Sequence, residues 1–277
     1  MIRRVDNDAD LARCVEIFNA VHPDAPVTLA DMSTDPSAVF LLDDRGGYAL
    51  VKRSSVLGSA FAMVRVTPES RRCGVGSGLL DAATAAACEL RLDTMWGRVA
   101  ALDAGSLRFA LRRGFEEVGR DVSLVRELRA GEGSLPDDID ELRDAEREAA
   151  YEVYAEGVED MPVGRPTKAM SFAEWCAEET VVTLVARDEG RLVGYAELKE
   201  LRAQPHRLEH GMTAVRRSHR RRGIASALKQ ATIAWAAQRG YRELVTYTQE
   251  ANDGMRAVNL RHGYVEVPSS IELSRPL

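Results

Sequence analysis

The feature that most constrains the fold is an internal repeat. Val66-Thr-Pro-Glu-Ser-Arg71-Arg-Cys-Gly74-Val-Gly76 reads like Val215-Arg-Arg-Ser-His-Arg220-Arg-Arg-Gly223-Ile-Ala225. Arg71 and Arg220 stand 149 positions apart, as do Gly114 and Gly263, and in each repeat the loop glycine precedes the later glycine by 40 residues. One matched glycine means little. Two matched motifs at one offset indicate a duplicated domain. The 277 residues then divide into two domains of ordinary size, 1–131 and 132–277, across the Gly-, Pro- and charge-rich stretch Arg129–Asp138.

Each repeat has the same coarse order. Apolar spacing predicts an opening helix over Ala9–Val21 and over Ile139–Tyr154. Two β-rich runs follow around a turn: Val39–Leu42 and Tyr48–Lys52 about Asp43–Gly47, then Val181–Arg187 and Leu192–Leu198 about Asp188–Gly190. A third strand, Val56–Val66 or Leu208–Val215, leads into the glycine loop. A long helix follows the loop, with Gly240 placed to end the second one. Another strand (Met95–Ala101; Leu244–Thr248), a short helix and a last strand complete each repeat. Elements in this order predict an α/β (α+β) domain with a mixed, mostly antiparallel sheet flanked by helices.

Composition excludes several function classes. No window approaches the roughly 18 apolar residues of a membrane helix, and the N-terminus has no apolar signal core, so the expectation is a cytoplasmic protein with no membrane partner. The four cysteines form no C-x-x-C pair and the five histidines no H-E-x-x-H pattern, so neither a disulfide framework nor a metal is expected. A net charge of −6 argues against nonspecific nucleic-acid binding.

A strand, an Arg/Gly-rich turn and a helix start make an anion site, because backbone N–H groups and the helix dipole converge there. Glycine lets the backbone approach a phosphate. No Gly-Lys-Ser/Thr occurs, and Gly74-x-Gly76-x-Gly78 is off register for a dinucleotide fingerprint. The pattern that fits is R-x-x-G-x-G/A directly after a strand: Arg71-x-x-Gly74-x-Gly76 and Arg220-x-x-Gly223-x-Ala225.

With these loops, the 40-residue spacing and the terminal Gly-Phe/Tyr, both halves resemble the GNAT acetyltransferase superfamily. The tandem layout is similar to that of mycothiol synthase-like proteins. The resemblance implies an acetyl-CoA-dependent N-acetyltransferase acting on a small-molecule amine by direct attack. It implies that Arg220, Arg221, Arg222, Gly223, Ile224, Ala225 and Ser226 hold the cofactor's pyrophosphate, with Thr213 and Val215 on the strand before them. Arg71, Arg72, Gly74 and Gly76 would do the same in the first half. It places a general base at Glu209, where the first half has Ala60, a cofactor-contacting Asn at Asn252, where the first half has Asp103, and the usual tyrosine acid at a position held by Asn259, where the first half has Ala110. The second half is therefore expected to be catalytic and the first not. Asn259 departs from the family and cannot donate a proton, which leaves unaided thiolate departure, Tyr247 or Tyr264. A backbone N–H near Val215 is the expected oxyanion donor.

Other readings stand beside this one. Glu209 could equally be a strand carboxylate facing solvent or paired with Arg207. His210, on the opposite face of a regular strand, reads as structural. Arg216–Arg222 could be a solvated turn or a nucleic-acid patch. The chain could be a noncatalytic acyl-CoA-binding module. The acceptor pocket is expected in Glu156–Trp175, where Ser171–Glu174 forms a capping box and Glu159 and Asp160 are either solvated or attract a cationic amine.

Overall fold

The computed structural model describes residues 1–32, 35, 37–161 and 167–277, the Pro268 side chain excepted. The chain forms two compact units: Met1–Val118 with Arg202–Gln204 and Ser270–Leu277, and Gly119–Leu201 with Pro205–Ser269.

The first unit contains β1 (Ile2–Arg4), α1 (Asp8–Val21), α2 (Leu29–Met32), β2 (Val39–Asp43), β3 (Gly47–Arg53), β4 (Ser59–Val66), α3 (Val75–Glu89), β5 (Thr94–Ala100) and α4 (Ala104–Leu111). Asn7 caps α1 by accepting the Asp10 N–H, which satisfies a donor the helix itself leaves free. Strands β1 to β4 pair antiparallel in chain order. β4 and β5 pair in parallel over three residues, Ser59–Phe61 against Thr94–Trp96. One face packs on α3 through Leu79, Ala83 and Ala87; the other packs on α1 through Cys14 and Ile17.

β6 (Glu116–Glu127) leads into the second unit, which contains β7 (Ile139–Glu141), α5 (Arg147–Glu159), α6 (Phe172–Ala177), β8 (Val182–Asp188), β9 (Arg191–Glu200), β10 (Arg207–Val215), α7 (Ile224–Gln238), β11 (Glu243–Gln249), α8 (Asp253–Arg261) and the start of β12 (Val265–Pro276). Its sheet runs β7–β8–β9–β10 antiparallel, and β10–β11 pair in parallel over Arg207–Glu209. Leu228, Ala231 and Trp235 of α7 fill one face; α5 and α6 cover the other with Val153, Tyr154 and Trp175.

The last strands are exchanged between repeats. β6 closes the first repeat in sequence, yet its residues 121–127 pair with β11 of the second unit. Ser270–Pro276, at the end of the second repeat, pair with β5 of the first unit and bury Ile271 and Leu273 in its core.

Three expectations need correction. Ile139–Tyr154 is not one helix: Ile139–Glu141 pair with β8, bury Ile139, and the helix starts at Arg147 after a 3-10 turn. Core burial and ladder bonds override the helical spacing there. The third strand starts at Ser59 rather than Val56, because Gly58, with φ +70°, turns the chain. The short elements β1 and α2 were not expected; three and four residues are too few to show a period.

Candidate functional site

The two glycine loops share one backbone conformation. Arg71 and Arg220 are extended, Arg72 and Arg221 have φ of 65° and 62°, and Gly74 and Gly223 have φ of 82° and 85°. Arg71 and Arg220 each tie the loop to its strand, Nε donating to the carbonyl of Val66 or Val215. Neither α3 nor α7 has a side-chain cap; their first backbone acceptors, Gly74 and Gly223, bond Gly78 and Ala227. The N–H groups of the first turn, which include those of Ile224, Ala225 and Ser226, therefore lack helical partners and form an anion cradle. A Cβ built on Gly223 or Gly74 would meet nothing within 4 Å, so a ligand can approach the backbone directly. Gly76 lies in the first turn of α3, where Phe109 packs at 3.6 Å from its would-be Cβ.

The charges around the loops differ. In the second unit Arg216 pairs with Glu152, Arg217 with Glu159 and Asp160, Arg220 with Asp160, and Arg222 with Asp188. Two arginines hold the Asp160 carboxyl at about 2. Glu159 and Asp160 thus face the loop rather than an acceptor amine, and the basic run is largely neutralised from α5 and the end of β8. Arg221 has no carboxylate partner among the described residues. In the first unit Asp43, at the end of β2, is taken by Arg45.

The strand before the loop differs as well. β4 keeps its register with β3 throughout. β10 has a bulge: His210 pairs with Leu198 and Thr213 with Ala196, so Gly211 and Met212 face Glu197 alone. Glu197 is buried and accepts the Met212 N–H at 3.2 Å. Gly211 makes this possible, because a Cβ there would lie 2.7 Å from Glu197 Oε1. Counted from the pairs Gly47–Val66 and Gly194–Val215, the first unit has Leu50 and Ala62 at these places, with neither the carboxylate nor the glycine. Gly97 of β5 sits against the Ala62 carbonyl, where its Cβ would lie at 2.4 Å. Its counterpart 149 residues on is Thr246, buried, which needs β11 to stand further from β10.

Glu209 lies directly upstream of the bulge, opposite Lys199 on β9. Lys199 Nζ pairs with Glu178 at 2.7 Å and Glu197 at 3.5 Å. Burial raises the Glu209 carboxyl; Lys199 opposes this, and Glu197 and Glu178 reinforce it. Arg207 pairs with Glu243. Tyr247 is 53% exposed, and its hydroxyl is raised by partial burial and then by the Glu209 carboxylate. Glu178, Glu197, Arg147, Trp175, Thr180 and Thr183 bound a polar cleft of about 160 Å³. Glu197, Lys199 and Glu178 were not found from sequence. The signal for Glu197 was a carboxylate at an inward strand position where the first repeat has Leu50.

The remaining site residues fall as follows. Thr213 Oγ1 bonds His210 Nε2 at 3.1 Å, and Val215 is in register with Gly194. His210 is buried on the α7 face, where Nδ1 meets the Tyr264 hydroxyl at 3.1 Å. Ser226 Oγ bonds His262 Nε2 at 2.6 Å. Asn252 caps α8 by accepting the Met255 N–H, as Asp103 caps α4. Asn259 is 0% exposed, and neither of its amide atoms has a partner among the described residues. The Ser171 capping box is present. Residues 162–166 of the expected acceptor segment lie outside the described residues. Among the described residues no group of His, Cys, Asp or Glu is arranged to hold a metal, and no helix is long and apolar enough to cross a membrane.

Comparison with known proteins bears on the family and the fold. Residues 139–264 match the acetyltransferase (GNAT) family. No curated protein matches the chain. Among solved structures, a GCN5-related N-acetyltransferase from Sphaerobacter thermophilus is 20% identical with a TM-score of 0.76, covering all of this chain and 95% of its own. A tandem GNAT protein from the clavulanic acid biosynthesis pathway is 18% identical with a TM-score of 0.79, covering 100% and 98%. A GCN5-related glucosamine N-acetyltransferase region of a fungal multi-domain GH3 β-N-acetylglucosaminidase is 19% identical with a TM-score of 0.72, covering 99% of this chain and 38% of that one. At these identities the structures speak to fold, and the family match speaks to the second repeat: residues 139–264 belong to the acetyltransferase (GNAT) family, and the whole chain has the fold of the tandem GNAT protein.

Proposed function

We propose that the second unit transfers the acetyl group of acetyl-CoA to the amine of a small molecule, with Glu209 taking the amine's proton. The observation that supports this most is the β10 bulge beside Glu209, since the first unit has neither bulge nor base at that place. Acetyl-CoA would supply the acetyl thioester. The N–H cradle and Arg221 suit its diphosphate, and Thr213–Val215 suit its arm. The cationic amine gives one proton to the Glu209 carboxylate; the neutral nitrogen then attacks, the N–C bond forms as the C–S bond breaks, and the second N–H proton balances the one given to the departing thiolate. Asn259 has no proton to give and Tyr264 is engaged with His210, so the half-exposed Tyr247 is the hydroxyl we assign to the departing thiolate. The cleft at Glu178 and Glu197 suits an acceptor that arrives as a cationic amine.

The test uses the full chain, acetyl-CoA and a panel of primary amines, with release of the CoA thiol as readout. Glu209→Gln should lower kcat by about 10²- to 10⁴-fold and leave the acetyl-CoA Kd unchanged. Because Glu209 is held above the usual carboxylate range, kcat should rise with pH as it deprotonates, and that limb should vanish in the variant. Equal turnover by the variant refutes the assignment. Acetyl-CoA binding with no transfer to any amine would favour a sensing module instead.

A further inference from the structure

The first unit holds three buried polar atoms with no partner close to one another on the α1 face of its sheet: Arg65 Nε, the Tyr48 hydroxyl and His22 Nε2. Arg65 and Tyr48 are directly opposite across β4 and β3. His22 ends α1, and burial, Arg65 and Arg71 push its pKa down to about 4, so its ring is neutral near pH 7. Arg65 donates from Nη1 to the Val64 carbonyl, and among the described residues no carboxylate pairs with it. A buried guanidinium without a counter-charge is strongly unfavourable. Guanidinium nitrogens only donate, the phenol can donate, and neutral imidazole can carry its proton on Nε2. Such a set calls for an anion.

In the second unit the protein fills the corresponding region itself. Ala214 stands at the place of Arg65, 149 residues on, and packs close to Gly157 of α5, while Asp160 reaches Arg220. In the first unit Arg71 keeps its bond to the Val66 carbonyl, but α1 offers His22 in place of a carboxylate.

A cleft of about 220 Å³ lies on the same face, lined by Phe18, Val27, Phe40, Leu50, Phe61 and Met63 together with Asp31, Asp35 and Lys52, and the three polar groups are near neighbours of its lining rather than part of it. Met63 precedes Arg65 by two residues on β4, Leu50 follows Tyr48 by two on β3, and the Phe18 ring lies 4.8 Å from the His22 ring. At about 10–15 Å³ of such space per water-sized group, the cleft has room for a hydrocarbon chain of several carbon atoms. We propose that the first unit binds the carboxylate of a medium-chain apolar acid, its anionic end on Arg65, Tyr48 and His22 and its hydrocarbon body between Phe18, Phe40, Leu50, Phe61 and Met63. This site is separate from the acetyl-transfer reading and stands without it.

The test is calorimetric titration of the full chain near pH 7 with octanoate, octan-1-ol and inorganic phosphate. Octanoate should bind, and the alcohol and phosphate should each bind at least tenfold more weakly. Arg65→Met should weaken octanoate at least tenfold. Leu50→Trp, which fills the cleft and keeps the guanidinium, should do the same and covers the case in which the first variant misfolds. The proposal is overturned by absence of octanoate binding, by phosphate binding as tightly, or by unchanged octanoate affinity in whichever variants fold.

Discussion

Gly211→Ala isolates the bulge that separates the two units. The added Cβ would lie 2.7 Å from Glu197 Oε1 and 2.8 Å from its Cγ, so the carboxylate must withdraw from the Met212 N–H it accepts at 3.2 Å. Hydrogen bonds to charged groups are worth about 1.5–3 kcal/mol. If that bond holds β10 in the reacting geometry, losing it lowers kcat/KM by about 10- to 150-fold, at about 1.4 kcal/mol per tenfold. Glu197→Leu, which installs the first unit's residue, removes the same bond by another route. The double variant should then cost little more than either single one, because both changes act on one interaction. Thiol release measures the rate. Amide exchange at Met212 reports the bond itself, and should speed up in all three variants. If Gly211→Ala keeps full turnover while Met212 exchange accelerates, the bulge bond does not position the reaction. If the two single effects add, they do not share one interaction.

Two further predictions concern stability. Leu273→Ala should destabilise the chain by about 2–5 kcal/mol. Although Leu273 lies four residues from Leu277, the loss of amide protection should appear in Thr94–Ala100 of the first unit, with which Ser270–Pro276 pair; confinement of the loss to β11 would refute the exchanged pairing. Lys229 is buried over the Tyr264 ring and burial drives its pKa well below the usual lysine value. The unfolded chain therefore binds a proton that the folded chain lacks, and stability rises with pH until the free lysine value is reached. Lys229→Met should stabilise the protein, and its advantage should shrink by about 1.4 kcal/mol per unit between pH 8 and 9.5, read as the difference between denaturant midpoints.

The duplicated order of elements was legible because both loops and both terminal glycines share one offset, and α3 and α7 follow with apolar spacing over four turns. The partners of β6 and β12 were not. A strand's sequence records which face is buried, and Leu124 of β6 and Leu273 of β12 fit either core; which neighbour each pairs with depends on where the chain goes next. Ile139 shows the same limit in miniature, since its apolar neighbours fit a helix until the β8 edge is available. Glu209 was singled out through family resemblance. Its environment was not, because Lys199, Glu197 and Glu178 come from β9 and from the segment after α6, and no local spacing links them to β10.

The loop motif shows how far a local pattern can mislead. Arg71-x-x-Gly74 and Arg220-x-x-Gly223 give the same backbone, the same left-handed residues and the same bond to the strand end. Read alone, they are equivalent anion sites. Their electrostatics are set elsewhere: Glu152, Glu159 and Asp160 of α5 and its C-cap, with Asp188 of β8, offset the second loop's arginines, whereas α1 ends in His22 and Asp43 is spent on Arg45. What the second loop can offer an anion is therefore its backbone N–H groups and Arg221. The first loop keeps an excess of positive charge, and the buried Arg65 behind it adds to that excess. Among the described residues Arg71 and Arg72 of the first loop form no ion pair, whereas Arg220 and Arg222 of the second do, so two loops with one backbone present different charge to whatever approaches them.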